Sequence, residues 1–399
     1  MKVALLTRAA HPLHEPGGLE RAVYHLAKHL REAGVEVTLF TRPATRQGSF
    51  PGEVVFVPYG GVPAGAHGRV LDRTLNYPRF AARLGTAVAA RVRAGSIDIV
   101  HAQGVAALGY GRLRAKDAGL RAPLVMNPQG MEEHKATGAK GLALSRLRAL
   151  SREAARLSDR VIATDEATRA EVPRYLGVSE DKVVVLENGI DAAEIREATP
   201  PDWKRIARQA LPSLKTADPV FLSVGRIEAY KGFGDTLLAL EALEARGSLP
   251  PSWAWVVVGD GRYAPSLLKQ RRHGVARHLL LAGRTSESLL HALYERADVF
   301  VHATHYEGSS LVTLEAMAHA LPVVATRVGG IPDKVDESTG RLVAPGDIEG
   351  LASALAELIP SAALRRRLGA AGRKRALAQF AWSTLAHRTI ALYEELLAR

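Results

Sequence analysis

Short β-branched apolar runs, each followed by a helical pattern of ordinary length, recur along the whole chain. In the first half they are Val3–Thr7, Val35–Thr41, Val54–Pro58, Ile97–His101, Leu124–Asn127, Val161–Thr164 and Val183–Leu186. In the second half they are Val220–Val224, Trp255–Val258, Leu279–Ala282, Val299–Ala303, Val323–Thr326 and Leu342–Val343. Runs this apolar suit strands buried on both faces, the condition of parallel sheets. A chain of 399 residues exceeds one ordinary core. The expected fold is therefore α/β: two doubly wound Rossmann-like domains facing a cleft, with ligands at the carboxyl ends of the strands. The seam is expected between Ala198 and Val220, a proline-bearing stretch of mixed charge, which gives an N-terminal domain over 1–200, a linker over 201–216 and a second domain from 217.

Composition removes several classes. There is no cysteine, so neither a disulfide framework nor a thiolate zinc site is available. No apolar run reaches the ~20 residues that span a bilayer. The apolar run in MKVALLTRAAH is too short for a signal peptide, so a cytoplasmic protein is expected. The formal charge of +12 admits phosphorylated ligands, nucleic acid or an anionic membrane face. With aromatics at 6% and no basic-aromatic stacking pattern, nucleic acid is not expected as a partner.

Polar residues that follow the predicted strands are the candidates for chemistry. Gly17 and Gly18 precede a helix with Leu19, Val23, Leu26 and Leu30 on one face. They form either a tight turn or a close backbone approach to an anion at the helix start. The pair is not a GxGxxG dinucleotide fingerprint. His25 and His29 have metal-ligand spacing but fall on the polar face without further ligands, so no metal site is expected there. His101 ends a buried strand, where an imidazole donates or accepts near neutral pH. Arg226 and Lys231 follow the next domain's first strand, flanked by Gly225 and Gly232. They are either surface charge or a diphosphate grip, the one a planar fork and the other a point charge. The stretch HYEGSSLVTLEAMAHA sets Glu307 before Gly308-Ser309-Ser310 and Glu315 about two helical turns further on. Helix capping explains Ser310 and an acid near the helix start, but not Glu315. No D-x-D pair occurs, which removes one common means of holding a divalent ion on a sugar nucleotide.

The order of these elements, from the N-terminal GG through VGRIEAYKG, GDG, the E-x7-E stretch and TGRLVAPGD, resembles the retaining glycosyltransferases of GT-B fold, often called family 4. The resemblance runs along nearly the whole chain and is most specific from Val220 to Asp347. It implies a nucleoside diphosphate sugar donor, a hydroxyl acceptor and no cofactor. Gly17 and Gly18 would lie at the donor diphosphate, Arg226 and Lys231 would neutralise it, and His101 would lie near the transferred sugar. Glu307 would face that sugar, the backbone of Ser309, Ser310, Leu311 and Val312 would meet hydroxyls or phosphate, and Glu315 would hold the ribose. The C-terminal segment 380–399 resembles a helix that crosses back to the N-terminal domain. Two departures stand out: Ser309-Ser310 replace a phenylalanine and a glycine common in relatives, and Ala320 replaces a glycine. The first alters the wall beside the donor sugar, and the second is read as structural.

Two rival readings share these residues: a glycoside hydrolase using Glu307 and Glu315 as its carboxylate pair, and a non-catalytic nucleotide-sugar binder. An acid in a loop and another two turns into the next helix suit the hydrolase poorly, since a retaining pair stands about 5 Å apart. The acceptor side adds one more expectation. Arg148, Arg152 and Arg156 repeat every four residues, with Arg146 nearby, and the loop 60–68 is glycine-rich. They suit either a solvated face or a peripheral contact with an anionic or lipid-linked acceptor at the inner membrane face.

Overall fold

The computed structural model describes residues 1–15, 17–60, 72–128, 131–270 and 273–399. The chain divides into two compact units, one of residues 1–188 with 382–399 and the other of residues 189–381.

Unit 1 contains strands β1 (Lys2–Leu6), β2 (Glu36–Thr41), β3 (Glu53–Phe56), β4 (Ile99–Gln103), β5 (Leu124–Asn127), β6 (Arg160–Ala163) and β7 (Val183–Val185). They form one parallel sheet in the order β3-β2-β1-β4-β5-β6-β7. β4 and β5 are buried along their whole length, as strands covered on both faces must be. One cover is the helix Gly18–Glu32, which buries Ala22, Val23, Leu26, Ala27 and Leu30 at helical spacing. The helix Trp382–Leu397 completes that layer, adding Leu385, Ala386, Leu392, Tyr393 and Leu396 to the same apolar cluster. On the opposite face Phe80, Leu84 and Val88 of the helix Tyr77–Arg93 pack with Leu108 and Tyr110.

Unit 2 contains β8 (Val220–Val224), β9 (Ala254–Val258), β10 (Leu279–Gly283), β11 (Val299–His302), β12 (Val323–Thr326) and β13 (Gly340–Val343), in the order β10-β9-β8-β11-β12-β13. The stretch 201–216, expected as a linker, is instead the helix Trp203–Ala210 and a 3-10 turn over Pro212–Lys215. Ala207 and Leu214 are buried in the core of unit 2, which fixes this stretch to it. A small polar chain ties the centre of the sheet together. The Trp255 indole N–H donates to Ser223 Oγ at 3.0 Å, and the Ser223 hydroxyl donates to the Val301 carbonyl at 2.7 Å. β9, β8 and β11 are thereby pinned in register where the next loops depart.

Both sheets share one property. Strand order reverses between β1 and β4 in unit 1 and between β8 and β11 in unit 2. At such a switch point the loops leaving two neighbouring strands run to opposite faces, which opens a crevice for a ligand.

Candidate active site

In unit 2, Arg226 and Lys231 leave β8 and Glu307 leaves β11, so all three sit at the switch point. Gly232 makes the convergence possible. Its φ is +71°, and a Cβ there would lie 1.8 Å from the Ala303 carbonyl oxygen. Only a glycine lets the turn Ala229–Lys231 press onto the end of β11. Lys231 Nζ then reaches Glu307 Oε2 at 2.6 Å, and His302 Nε2, from the last position of β11, reaches the same oxygen at 2.9 Å. Glu307 Oε1 accepts from the Gly308 N–H at 3.2 Å. The pair is mostly enclosed, with 13% of the Lys231 and 16% of the Glu307 side chain exposed. Burial alone would raise the Glu307 pKa, but His302 and Lys231 outweigh it and hold the carboxyl at about 2. Glu307 is therefore a carboxylate throughout the neutral range. Arg226 is exposed, with its guanidinium 3.1 Å from the Tyr230 hydroxyl.

Ser310 precedes the helix Leu311–Ala318. Its hydroxyl does not cap that helix, contrary to expectation; it meets Thr313 Oγ1 at 2.8 Å. Ser309 Oγ is buried without a hydrogen-bond partner among the described residues. The first N–H groups of the helix, at Leu311 and Val312, have no intrahelical carbonyl to bind, which leaves donors at this end. Glu315 lies in the same helix, and its Oε2 accepts from the Tyr294 hydroxyl at 3.0 Å. Tyr294 is fully buried, so this contact fixes the carboxylate from the core side.

Unit 1 has a cavity of about 390 Å3 at its own switch point, at the carboxyl ends of β1, β4 and β5. Arg8, Glu20, Tyr77, Gln103, Met131 and Glu133 supply much of its wall. Met131 holds φ +48°, a costly conformation for a non-glycine residue. Gly17 stands at the N-cap of the first helix, where a Cβ would lie 2.4 Å from Glu20 Oε2, while Gly18 faces open space.

His101 is not at the strand end as expected. β4 continues for two more residues, and Gln103 is the one that ends the strand and lines the 390 Å3 cavity. His101 is 1% exposed, with Nδ1 2.6 Å from the Tyr393 hydroxyl of the C-terminal helix. Burial lowers its pKa to about 4, so the ring is neutral. Sequence reasoning passed over Gln103, His302 and Tyr294. The first two were accessible by the strand-end rule that singled out His101; Tyr294 lies inside a helix and carries no such signal.

The arginine series of the helix Ser145–Leu157 is turned partly inward. Arg148 donates to the carbonyls of Glu133 and Ala136, and Arg152 donates to the Tyr175 carbonyl at 2.9 Å. Backbone bonding thus accounts for two members of the series. Residues 61–68 of the glycine-rich loop lie outside the described residues. No helix among the described residues is long and apolar enough to cross a membrane. His25 stacks on Trp382 with ring centroids 5.8 Å apart, and His29 pairs with Glu32 at 2.7 Å.

Family models match both parts of the chain: "Glycosyltransferase Family 4" over residues 16–194 and "Glycosyl transferases group 1" over residues 218–361. The D-inositol 3-phosphate glycosyltransferase of Thermobifida fusca is 30% identical over 420 residues, covering 99% of this chain and 94% of that protein. The chain belongs to the family 4 glycosyltransferases. The chain is also 32% identical over 274 residues to the glycogen synthase of Mycobacterium tuberculosis, a match that spans 68% of this chain and 63% of that protein. Among solved structures, Anabaena HepE in complex with UDP matches it with TM-score 0.72 at 20% identity, covering 99% of this chain and 100% of that one. That likeness is one of fold: two α/β domains of the GT-B type.

Proposed function

We propose that this glycosyltransferase moves a hexose from a nucleoside diphosphate sugar to a hydroxyl acceptor, with retention at the anomeric carbon and without a divalent metal. The observation that carries the reading is the contact of Lys231 with Glu307 at the switch point of unit 2, just before the open N-terminus of Leu311–Ala318, with Arg226 in the same loop as Lys231. Two cations and a row of backbone N–H groups suit a diphosphate, and they take the charge-stabilising part that a metal plays elsewhere. That a relative of this fold has been solved with UDP is consistent with it. Glu315, fixed by Tyr294, would accept from the ribose hydroxyls.

In this reading the bond between the anomeric carbon and the diphosphate oxygen breaks. The acceptor oxygen bonds to the same face of that carbon, and the acceptor proton passes to the leaving phosphate. Arg226 and Lys231 stabilise the charge that grows on the leaving group, and the rest of the site positions the partners. Glu307 is tied to Lys231 and His302, so it serves as an orienting carboxylate rather than a free nucleophile. Its low pKa also bars Glu307 itself from the general-acid role in a hydrolase pair. On the acceptor side, Gln103 takes the sugar-facing position proposed for His101, and His101 supports the strand from behind.

The test is turnover of UDP-, GDP- and ADP-hexoses with a hydroxyl acceptor in excess EDTA, with the product anomer read by NMR. Activity should persist with the donor's configuration kept. Loss of activity that magnesium or manganese restores, or an inverted product, overturns the proposal.

A further inference from the structure

Unit 2 has a cavity of about 430 Å3, away from the strand ends just described. This is within the size range of small-ligand sites. It is walled by the helices Ala192–Ala198, Trp203–Ala210 and Ala362–Gln379 and floored by the end of Leu311–Ala318 with His319. Ile195, Trp203 and Leu377 give it an apolar side. Arg196 and Arg373 stand exposed at it, and neither forms an ion pair with a carboxylate among the described residues. The one carboxylate in the wall, Glu295, is held below its usual range by the His319 Nδ1 hydrogen bond at 2.8 Å, with Arg373 adding to the effect. Two arginines against one carboxylate leave the cavity positive on balance, beside an aromatic and aliphatic wall.

The floor of the cavity connects to the donor site. His319 stacks flat on Tyr294, with ring centroids 5.2 Å apart and an interplanar angle of 2°. Tyr294 in turn donates to Glu315. The backbone N–H of His319 makes the ordinary C-capping bond to the Glu315 carbonyl at 3.1 Å. His319 is thus the contact through which a ligand in the cavity would reach the residue that orients the Glu315 carboxylate.

We infer that this cavity is an effector site for a small organic anion with a flat apolar body, an aryl phosphate or aryl carboxylate. The body would lie along Trp203, Ile195 and Leu377, and the anion would bridge Arg196 and Arg373, whose planar forks suit both groups. Occupancy changes nucleotide affinity through His319, Tyr294 and Glu315, and by linkage the nucleotide changes effector affinity by the same factor. This second statement rests on Glu315 being a nucleotide contact; the existence of the site does not.

The experiment is calorimetric titration of the full chain with phenyl phosphate, with inorganic phosphate and benzyl alcohol as probes that carry only half of the required chemistry. Phenyl phosphate should bind saturably and at least about tenfold more tightly than either. The double variant Arg196→Gln/Arg373→Gln should weaken it by about tenfold or more with thermal midpoint and basal turnover unchanged, and Trp203→Ala, whose side chain also packs on the core, should weaken it likewise when assayed below its own unfolding transition. Saturating phenyl phosphate should shift the Kd of the nucleoside diphosphate by at least about fivefold in the wild type and not in the double variant. Absence of saturable binding overturns the site. So does binding that is lost on Arg226→Ala but not in the double variant, because the probe then occupies the donor site. Binding that follows Arg196 and Arg373 without any shift in nucleotide affinity overturns the coupling alone and leaves the donor reading to its own test.

Discussion

Replacing Glu307 by glutamine keeps the shape of the Lys231–Glu307–His302 cluster and removes its negative charge. The structure sets the size of the effect. The Glu307 pKa falls from 4.5 to about 2 against the opposing pull of burial. At about 1.36 kcal/mol per pKa unit this amounts to about 3 kcal/mol of stability at pH 7. Because the folded-state pKa is depressed, that stability is present above pH 4.5 and lost as pH falls through about 2. Linkage leaves most of it at pH 4 and less than half at pH 3. An exposed ion pair would contribute only about 0–1 kcal/mol, so the two cases are separable. Urea unfolding followed by tryptophan fluorescence is a suitable assay, since Trp203, Trp253 and Trp255 lie in unit 2 and only Trp382 lies in unit 1. The variant should be less stable by about 3 kcal/mol at pH 7, with the gap closing below pH 4.5. In Lys231→Met most of the same loss should appear, and in the double variant the two losses should not add. A gap under about 1 kcal/mol at pH 7, or one that does not change with pH, would refute the account of Glu307 as a charge held by its neighbours.

Three further outcomes are expected. Arg226→Ala and Lys231→Ala should each lower kcat by roughly 100- to 1000-fold and weaken nucleoside diphosphate binding, and Arg226→Lys should be impaired as well because the fork is lost; wild-type kcat in both alanine variants would make them surface charge. Glu315→Ala, and more mildly Tyr294→Phe, should raise the donor KM and spare kcat, as steady-state kinetics at saturating acceptor will show. Ala320 adopts φ +57°, so Ala320→Gly should relieve about 1–2 kcal/mol of left-handed strain. After the entropic cost of glycine the net gain is about 0.5–1 kcal/mol, read from the urea midpoint.

The strands were readable because both of their faces are buried, so an apolar run needs no partner to be recognised. Their ends were less so. β4 was expected to stop at His101, yet Ala102 and Gln103 stay in register with Met126 and Asn127, and the polar residue at the true end is Gln103. The linker was misread because the charges in WKRIARQA hide a narrow apolar face; Ala207, buried, sits beside half-buried Ile206. In the site, residue types were legible and pairings were not. Lys231 and Glu307 are 76 positions apart, and their contact depends on β8 lying next to β11 and on the close approach at Gly232. No spacing in the sequence encodes that. Ala320 was legible as a backbone position, since a glycine is the residue its φ favours.

The helix Trp382–Leu397 belongs to unit 1 although the whole of unit 2 precedes it in the chain. During synthesis the sheet of unit 1 therefore emerges with one apolar face incompletely covered. At about 5–20 residues per second the 193 residues of unit 2, 189–381, take roughly 10–40 s to translate. Over that interval Leu5, Val23, Leu26 and Ile162 lack the neighbours that Leu385, Leu392 and Leu396 later provide, and His101 lacks Tyr393. Unit 2 has no such debt to later residues, so it can close first while unit 1 waits. A nascent chain paused between residues 188 and 382 would thus present an incompletely covered apolar sheet face.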